Sequence, residues 1–306
     1  MSNDAPVGVT IVGSANMDIV FAVDRIPRPG ETLLADSAQR FPGGKGLNQA
    51  VAAARASAPT RFIGALGRDE NGAALAATMD DAGIDSTLVR RVSDPTGQAF
   101  IVVDGSGENT IIVASGANAT VTDLGEGDRE ALALTAVLLM QLELPLAAVR
   151  SAASVTHTAG GIVILNAAPA QPVPRELLDS LDYLVVNEHE ACLVGESADL
   201  EVASARLASL VSRLVVTLGS AGSVLFDDGV EVARIAAPKV TTVDTTGAGD
   251  TFCGAFAAAI AEGMDFADAA RFATAAAALS VQAVGAVPSV PQRAAIDAVL
   301  TDRTEA

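Results

Sequence analysis

Apolar residues recur along this chain in two alternating rhythms. Short, nearly continuous apolar runs at 9–13, 60–64, 137–141, 162–166, 183–186 and 214–218 predict strands buried on both faces. Between them lie stretches with helical spacing: 46–58, 70–82 closed by Gly83, and 145–158 opened by Pro145. This alternation predicts an α/β fold with a mostly parallel sheet covered on both sides. Two segments break the rhythm. At 18–41 and 96–115 the pattern becomes alternating, most clearly in 98–104 and 109–115 on either side of the turn Gly105-Ser106-Gly107-Glu108. Those segments predict half-exposed antiparallel hairpins. Together they form either a small sheet projecting over a cleft as a lid, or surface decoration. The apolar run 267–287 is interrupted by Asp268, Arg271 and Gln282, and predicts a buried, alanine-rich helix in place of a membrane span.

Composition narrows the function classes. The chain has 306 residues, half of them apolar, with aromatics at 3% and no tryptophan. That is ample for a core and too apolar for disorder, and it lacks the aromatic platforms of stacking-based nucleic-acid binding. Lys+Arg total 19 against Asp+Glu 37, a formal net charge of −18. A surface so acidic repels nucleic acid and anionic membranes, so a negatively charged ligand must be met by local donors and metal ions. Cys192 and Cys253 have no paired spacing and read as small hydrophobes. His157 and His189 form no metal cluster. The short polar lead 1–6 carries no signal-peptide pattern, and the expected compartment is the cytoplasm.

The chemistry concentrates at two glycine clusters. Val243-Asp244-Thr245-Thr246-Gly247-Ala248-Gly249-Asp250-Thr251-Phe252 sets a carboxylate beside a glycine turn at the mouth of an apolar helix. Free N–H groups and the positive dipole end make such a mouth an anion site. Phosphate would repel a carboxylate there unless the carboxylate had a task, and proton abstraction from an attacking hydroxyl is the obvious one. By itself Gly-Ala-Gly-Asp also suits an ordinary strand-to-helix turn. A second cluster, Phe41-Pro42-Gly43-Gly44-Lys45-Gly46-Leu47-Asn48-Gln49-Ala50, opens another apolar helix and supplies the opposite charge. No Gly-x-x-x-x-Gly-Lys-[Ser/Thr] or Gly-x-Gly-x-x-Gly pattern is present, which removes the P-loop and Rossmann fingerprints.

These two clusters resemble the paired signatures of the ribokinase-like (PfkB) carbohydrate kinases. The resemblance extends through Gly13-Ser14-Ala15-Asn16-Met17-Asp18, Gly107-Glu108-Asn109, Gly116-Ala117-Asn118 and Met140-Gln141-Leu142-Glu143. It continues with Asn166-Ala167-Ala168-Pro169-Ala170, Asn187-Glu188-His189-Glu190, Thr217-Leu218-Gly219-Ser220-Ala221-Gly222 and 285–291. It implies one three-layer α-β-α catalytic domain over 1–306 with a discontinuous β lid at about 17–42 and 96–116. Asp250 is then the catalytic base. Gly247, Ala248 and Gly249 supply the anion hole, where one donor is typically worth about 3 kcal/mol in the transition state. Asn16, Met17, Asp18, Gly44, Lys45, Gly46, Asn48 and Glu143 form the sugar pocket. On spacing alone, Asp18 is a turn carboxylate and Asn48 a helix-terminal amide.

On the nucleotide side the resemblance implies Asn187 with Thr217, Leu218, Gly219, Ser220, Ala221 and Gly222 along the ATP phosphates and ribose, reaching Gly249 and Asp250. Thr274 falls near the adenine, though it also reads as a helix core residue. Glu190 is implied in ordering Mg²⁺ through water, and Asp244, Thr246, Ser280, Ala283, Gly285 and Ser289 in caging K⁺. The expected reaction is phosphorylation of D-ribose at its 5-hydroxyl by ATP. Deoxyribose, fructose or adenosine are the alternative acceptors within the family. A non-catalytic sugar-sensing relative is the reading from another class, and the retention of Asp250, the glycine pair and Glu190 speaks against it. The resemblance also implies a homodimer, with lid strands pairing between two subunits.

Overall fold

The structure is a computed structural model and describes residues 7–105, 107 and 109–304. The polar lead 1–6, and Ser106 and Glu108 of the expected turn, lie outside them. The first half of the chain runs β1 (Val7–Val12), β2 (Asn16–Val23), β3 (Ser37–Gly43), α1 (Lys45–Arg55), β4 (Thr60–Gly67), α2 (Glu70–Asp81), β5 (Val89–Val92), β6 (Gly97–Asp104) and β7 (Asn109–Ala114). Next come α3 (Glu126–Ala133), β8 (Thr135–Met140), α4 (Leu146–Ala159), β9 (Ile162–Asn166), α5 (Arg175–Leu178), β10 (Tyr183–Asn187), α6 (Glu188–Val194) and α7 (Leu200–Ala208). The remainder is β11 (Arg213–Thr217), β12 (Ser223–Asp227), β13 (Val230–Ile235), α8 (Ala248–Ala261), α9 (Phe266–Ser280), α10 (Ala286–Ser289) and α11 (Arg293–Thr304).

Among the described residues the main sheet has nine strands in the order β13-β12-β11-β10-β9-β8-β1-β4-β5. All neighbours from β11 to β5 pair parallel, and β12 and β13 add an antiparallel edge. The period of two along each strand divides the core. Ile11, Val137 and Leu139 join the cluster that contains α1, α8 and α9, whereas Val12, Leu138 and Met140 join the one beneath α4, α5 and α7. This is the three-layer arrangement that the apolar runs and helical spacings predict.

The two alternating segments meet in one separate four-stranded sheet, β3-β2-β6-β7. Within each segment the pairing is antiparallel, as expected, but its central pair, β2 with β6, is parallel. Both strands follow parallel strands of the main sheet, β1 and β5, so they are launched in the same direction. β7 lies at one edge and leaves Ile111, Ile112 and Val113 exposed.

The run 267–287 departs from expectation, for it is not one helix. α9 stops at Ser280, and α10 begins only after Gly285, which has a left-handed φ of 85°. The break is tertiary. The Val281 carbonyl turns outward to accept the N–H groups of Val243 (2.7 Å) and Asp244 (3.2 Å), tying this corner to the glycine segment before α8. The alanine-rich pattern carries on across the break and hides it. Among the described residues no helix is long and apolar enough to cross a membrane.

One close approach positions the site. On α8, a Cβ built at Gly254 would lie 2.3 Å from the Gln49 carbonyl oxygen and 2.5 Å from the Ala52 Cβ. Glycine therefore lets α1 and α8 pack backbone against backbone, which brings the start of α1 beside the start of α8.

Candidate active site

Asp250 lies in the first turn of α8 and is 7% exposed. Asn48 Nδ2 donates to its Oδ2 and Gln49 Nε2 to its Oδ1, each at 2.9 Å. The turn before it bends through Gly247, whose φ of 74° puts it in the left-handed region. A Cβ there would come within 2.8 Å of the Ala286 Cβ. No side chain caps this helix terminus. Ala248 N–H is partly committed to the turn itself, reaching the Thr245 carbonyl at 3.2 Å.

Around Asp250 the expected sugar residues converge from three elements. Asn16 and Asp18 come from β2, Lys45 and Asn48 from α1, and Glu143 from the loop after β8. Glu143 Oε2 accepts from the Ser14 hydroxyl and from the Lys45 backbone N–H at 3.3 Å. Asn16 Oδ1 accepts from Asn118 Nδ2 at 2.8 Å, and Asn118 in turn clasps the Ala15 backbone. The Asn48 Oδ1 is buried with no hydrogen-bond partner among the described residues, an acceptor that a substrate hydroxyl would satisfy. Gly44 is the N-cap of α1 and Gly46 packs on the Ser14 backbone. The Met17 side chain belongs to the core.

Carboxylates outnumber cations here, and the charges show it. Burial, and then the negative charges of Glu143 and Asp250, push the Asp18 carboxyl from 3.8 to about 7 against the pull of Lys45. For Lys45, burial opposes the charge, but Asp250, Glu143 and Glu190 outweigh it and raise its pKa. Burial also raises Glu190, offset in part by the Asn187 N–H and Lys45.

A cavity of about 540 Å³ opens on the other side of the α8 turn. It gathers Asn187, Thr217, Gly219, Ser220, Gly222, Gly249 and Thr274, all expected on the nucleotide side. Leu218 packs against the core and Ala221 is exposed; neither lines this space. Asn187 and Glu190 form a reciprocal cap on α6, with Glu190 N–H to Asn187 Oδ1 at 2.8 Å and Asn187 N–H to Glu190 Oε2 at 2.9 Å. Thr274 donates to the Ala270 carbonyl at 2.7 Å, a helix-internal bond, while still facing the cavity.

Asp244 ties the last group of expected residues together. Its Oδ1 accepts from Thr246 N–H at 2.9 Å and its Oδ2 from Gly285 N–H at 2.8 Å. Burial works to raise its pKa, but these donors prevail and hold it below the usual value, so the carboxylate stays charged. Ser280 bonds to the Ala277 carbonyl, Ala283 N–H to the Ser280 carbonyl, and Ser289 to the Ala286 carbonyl, all within the same corner.

The family profile described as "pfkB family carbohydrate kinase" matches residues 8–293. The chain belongs to the pfkB family of carbohydrate kinases. It is 41% identical over 293 residues to the ribokinase of Haemophilus influenzae, covering 93% of this chain and 95% of that one. To the Arabidopsis thaliana ribokinase it is 40% identical over 301 residues, covering 94% and 79%. Its structure resembles that of Arabidopsis thaliana ribokinase complexed with ribose and ATP, with a TM-score of 0.90, 38% identity and coverage of 97% and 99%.

In this pfkB kinase several residues that the sequence reading quoted within motifs, without assigning them a role, join the candidate site. Gln49, Gln141 and Asn166 are buried amides linked to Asp250, and Asn118 and Ser14 brace the sugar side. Gln141 and Asn166 fall at or just past the C-terminal ends of parallel strands. Open α/β sheets place their sites there. Ala237, Pro238, Lys239, Val240 and Thr242, which also line the 540 Å³ cavity, belong to no motif. Lys239 and Lys45 are the chain's only lysines, and each stands at one side of the α8 turn.

Proposed function

We propose that this chain transfers the γ-phosphoryl group of ATP to the 5-hydroxyl of D-ribose, giving D-ribose 5-phosphate and ADP. The observation that carries this reading is the placement of Asp250. Its carboxylate faces the amide-rich pocket of Asn48 and Lys45, while Gly249 and Phe252 of the same helical start face the 540 Å³ cavity. Ribose hydroxyls fit the first space, where Asp18, Asn16, Glu143 and the unpartnered Asn48 Oδ1 offer hydrogen bonds. ATP fits the second, as the ribose and ATP held by the Arabidopsis relative suggest for a fold this similar. Asp250 takes the proton from the 5-hydroxyl, and the uncapped N–H groups of the α8 start, with Lys45, stabilise charge on the transferred group.

Two ions fit the residues present. Bound Mg²⁺ neutralises charge on the phosphate oxygens. Among the described residues no three His, Cys, Asp or Glu side chains gather as a metal cluster. That suits a Mg²⁺ that keeps most of its water and takes one carboxylate, Glu190, through it. A K⁺ suits the corner of Asp244, Thr246, Ser280, Ala283, Gly285 and Ser289, where a charged carboxylate joins carbonyl and hydroxyl oxygens on two tied loops. There it would steady the turn that carries Gly247.

The four-stranded sheet acts as a lid that excludes water from the ribose pocket. The exposed Ile111, Ile112 and Val113 on its edge strand support a homodimer paired through the lid; sedimentation would test it. Use of ATP supports the expected cytoplasmic compartment. The deciding experiment is ADP release with a panel of pentoses, hexoses and nucleosides, run beside Asp250→Asn. D-ribose should give the highest kcat/KM, and the variant should lose turnover by about 10²-fold or more while keeping its ribose affinity. Near-normal turnover by the variant would refute the base assignment, and preference for another acceptor would refute the substrate.

A further inference from the structure

Gln49 does not line the 540 Å³ cavity, yet it makes more side-chain hydrogen bonds than any of its neighbours on α1. It is fully buried. Its Nε2 donates one hydrogen to Asp250 Oδ1 at 2.9 Å and the other to Asn166 Oδ1 at 3.1 Å. Its Oε1 accepts from Gln141 Nε2 at 2.6 Å. We propose that Gln49 is a positioning residue for the catalytic carboxylate, and that Gln141 and Asn166 fix the direction in which its amide points. This inference rests on the reading of Asp250 as the base.

An amide side chain has nearly the same shape when turned over, so only its partners decide which end faces where. For Gln49 every partner agrees. An ionised carboxylate only accepts. Asn166 presents its oxygen because its Nδ2 is occupied by the Val185 carbonyl at 3.3 Å. Gln141 presents its nitrogen. Turning Gln49 over would set an oxygen against two oxygens and a nitrogen against a nitrogen, and all three bonds would be lost.

Gln141 shows which requirement prevails. Its Oε1 is buried without a partner among the described residues. It lies hard against Gly13, where an added Cβ would stand 2.3 Å away. An unpaired buried acceptor is unfavourable. Turning Gln141 over would present a second oxygen to Gln49 Oε1 and release the orientation that Asp250 needs. The unsatisfied oxygen therefore sits two residues back from the base, on a buried side chain. Asn48 holds the other carboxylate oxygen, so the plane of Asp250 is set from two sides. Asn48 is shared with the sugar pocket; Gln49 serves the protein alone.

The test uses Gln49→Met, which keeps the length and removes the donor, Gln49→Glu, and Gln141→Met, with Asp250→Asn as reference. At saturating ribose and ATP, Gln49→Met should lower kcat by about tenfold to a hundredfold, the usual consequence of a misplaced reacting group. Its KM for both substrates should stay within about twofold, which marks an effect confined to the chemical step. Gln49→Glu should be slower than Gln49→Met at pH 8 and overtake it towards pH 6, because a protonated glutamate regains an O–H donor for Asp250. Gln141→Met should show the same split, with a smaller loss. Should the Gln49 variants fail to fold, Gln141→Met decides alone. Normal kcat in Gln141→Met and Gln49→Met beside an inactive Asp250→Asn would overturn the relay, as would a glutamate variant that tracks the methionine variant at every pH. Normal turnover by Asp250→Asn would instead remove the base assignment itself.

Discussion

Replacing Asp18 by asparagine should make the empty protein more stable, and by an amount that depends on pH. Asp18 stands on β2 facing Glu143 and Asp250, and burial together with those two charges lifts its carboxyl from 3.8 to about 7. A carboxyl raised in this way binds, in the native state, a proton that the unfolded chain has already released. Native stability therefore falls as pH rises from about 4 to about 7, and the penalty is level above that. Each decade is worth about 1.4 kcal/mol, so the full penalty has an upper limit of about 4 kcal/mol. Water in the open cleft screens the charges, and a net effect of about 1–2 kcal/mol is the expectation at pH 8. Asparagine keeps the shape and cannot ionise. Urea unfolding of both proteins at pH 5 and pH 8, without sugar, measures the difference. The advantage of Asp18→Asn should be larger at pH 8 than at pH 5 by up to about 0.6 kcal/mol, while its KM for ribose rises. An advantage equal at the two pH values, or a variant less stable at pH 8, would refute the reasoning.

Lys239→Ala should raise the KM for ATP several-fold and leave the KM for ribose unchanged, because Lys239 lines the 540 Å³ cavity; steady-state kinetics with each substrate varied would check it. Gly254→Leu should destabilise the fold by about 3 kcal/mol or more and lower kcat, since a side chain there would drive α1 away from α8. Denaturant midpoints read the first effect and saturating turnover the second. Replacing K⁺ by a large organic cation at constant ionic strength should lower kcat, and an unchanged rate would remove the cation corner around Asp244.

The parts of the site legible in the sequence were those encoded by neighbours along the chain. Gly247 to Asp250 announces a helix mouth because the glycines and the acid are contiguous, and the parallel sheet is visible because each of its buried strands is locally apolar. The relay behind Asp250 was not legible. Gln49 lies 201 residues from Asp250, 117 from Asn166 and 92 from Gln141, so nothing local records that their amides meet. The short elements β5, α3, α6, β12 and β13 carried too little pattern to stand out. α9 misled for the opposite reason: alanine continues the helical pattern past Ser280, while the stop comes from contacts with Val243 and Asp244 on a distant segment. Lys239 stands in a stretch whose only distinction is the cavity it borders.

On the proposed function, the Gly254 contact divides recognition of the acceptor between two parts of the fold. Asn48, Gln49 and Asp250 ride on two helices whose main chains touch, so they move as one block. Asn16 and Asp18 belong instead to a strand of the smaller sheet, joined to that block through short connections. Changes to acceptor preference introduced along β2 or β3 can thus leave the geometry of proton transfer intact, whereas a change on α1 alters both at once. Redesign for a different polyol should begin on the strands.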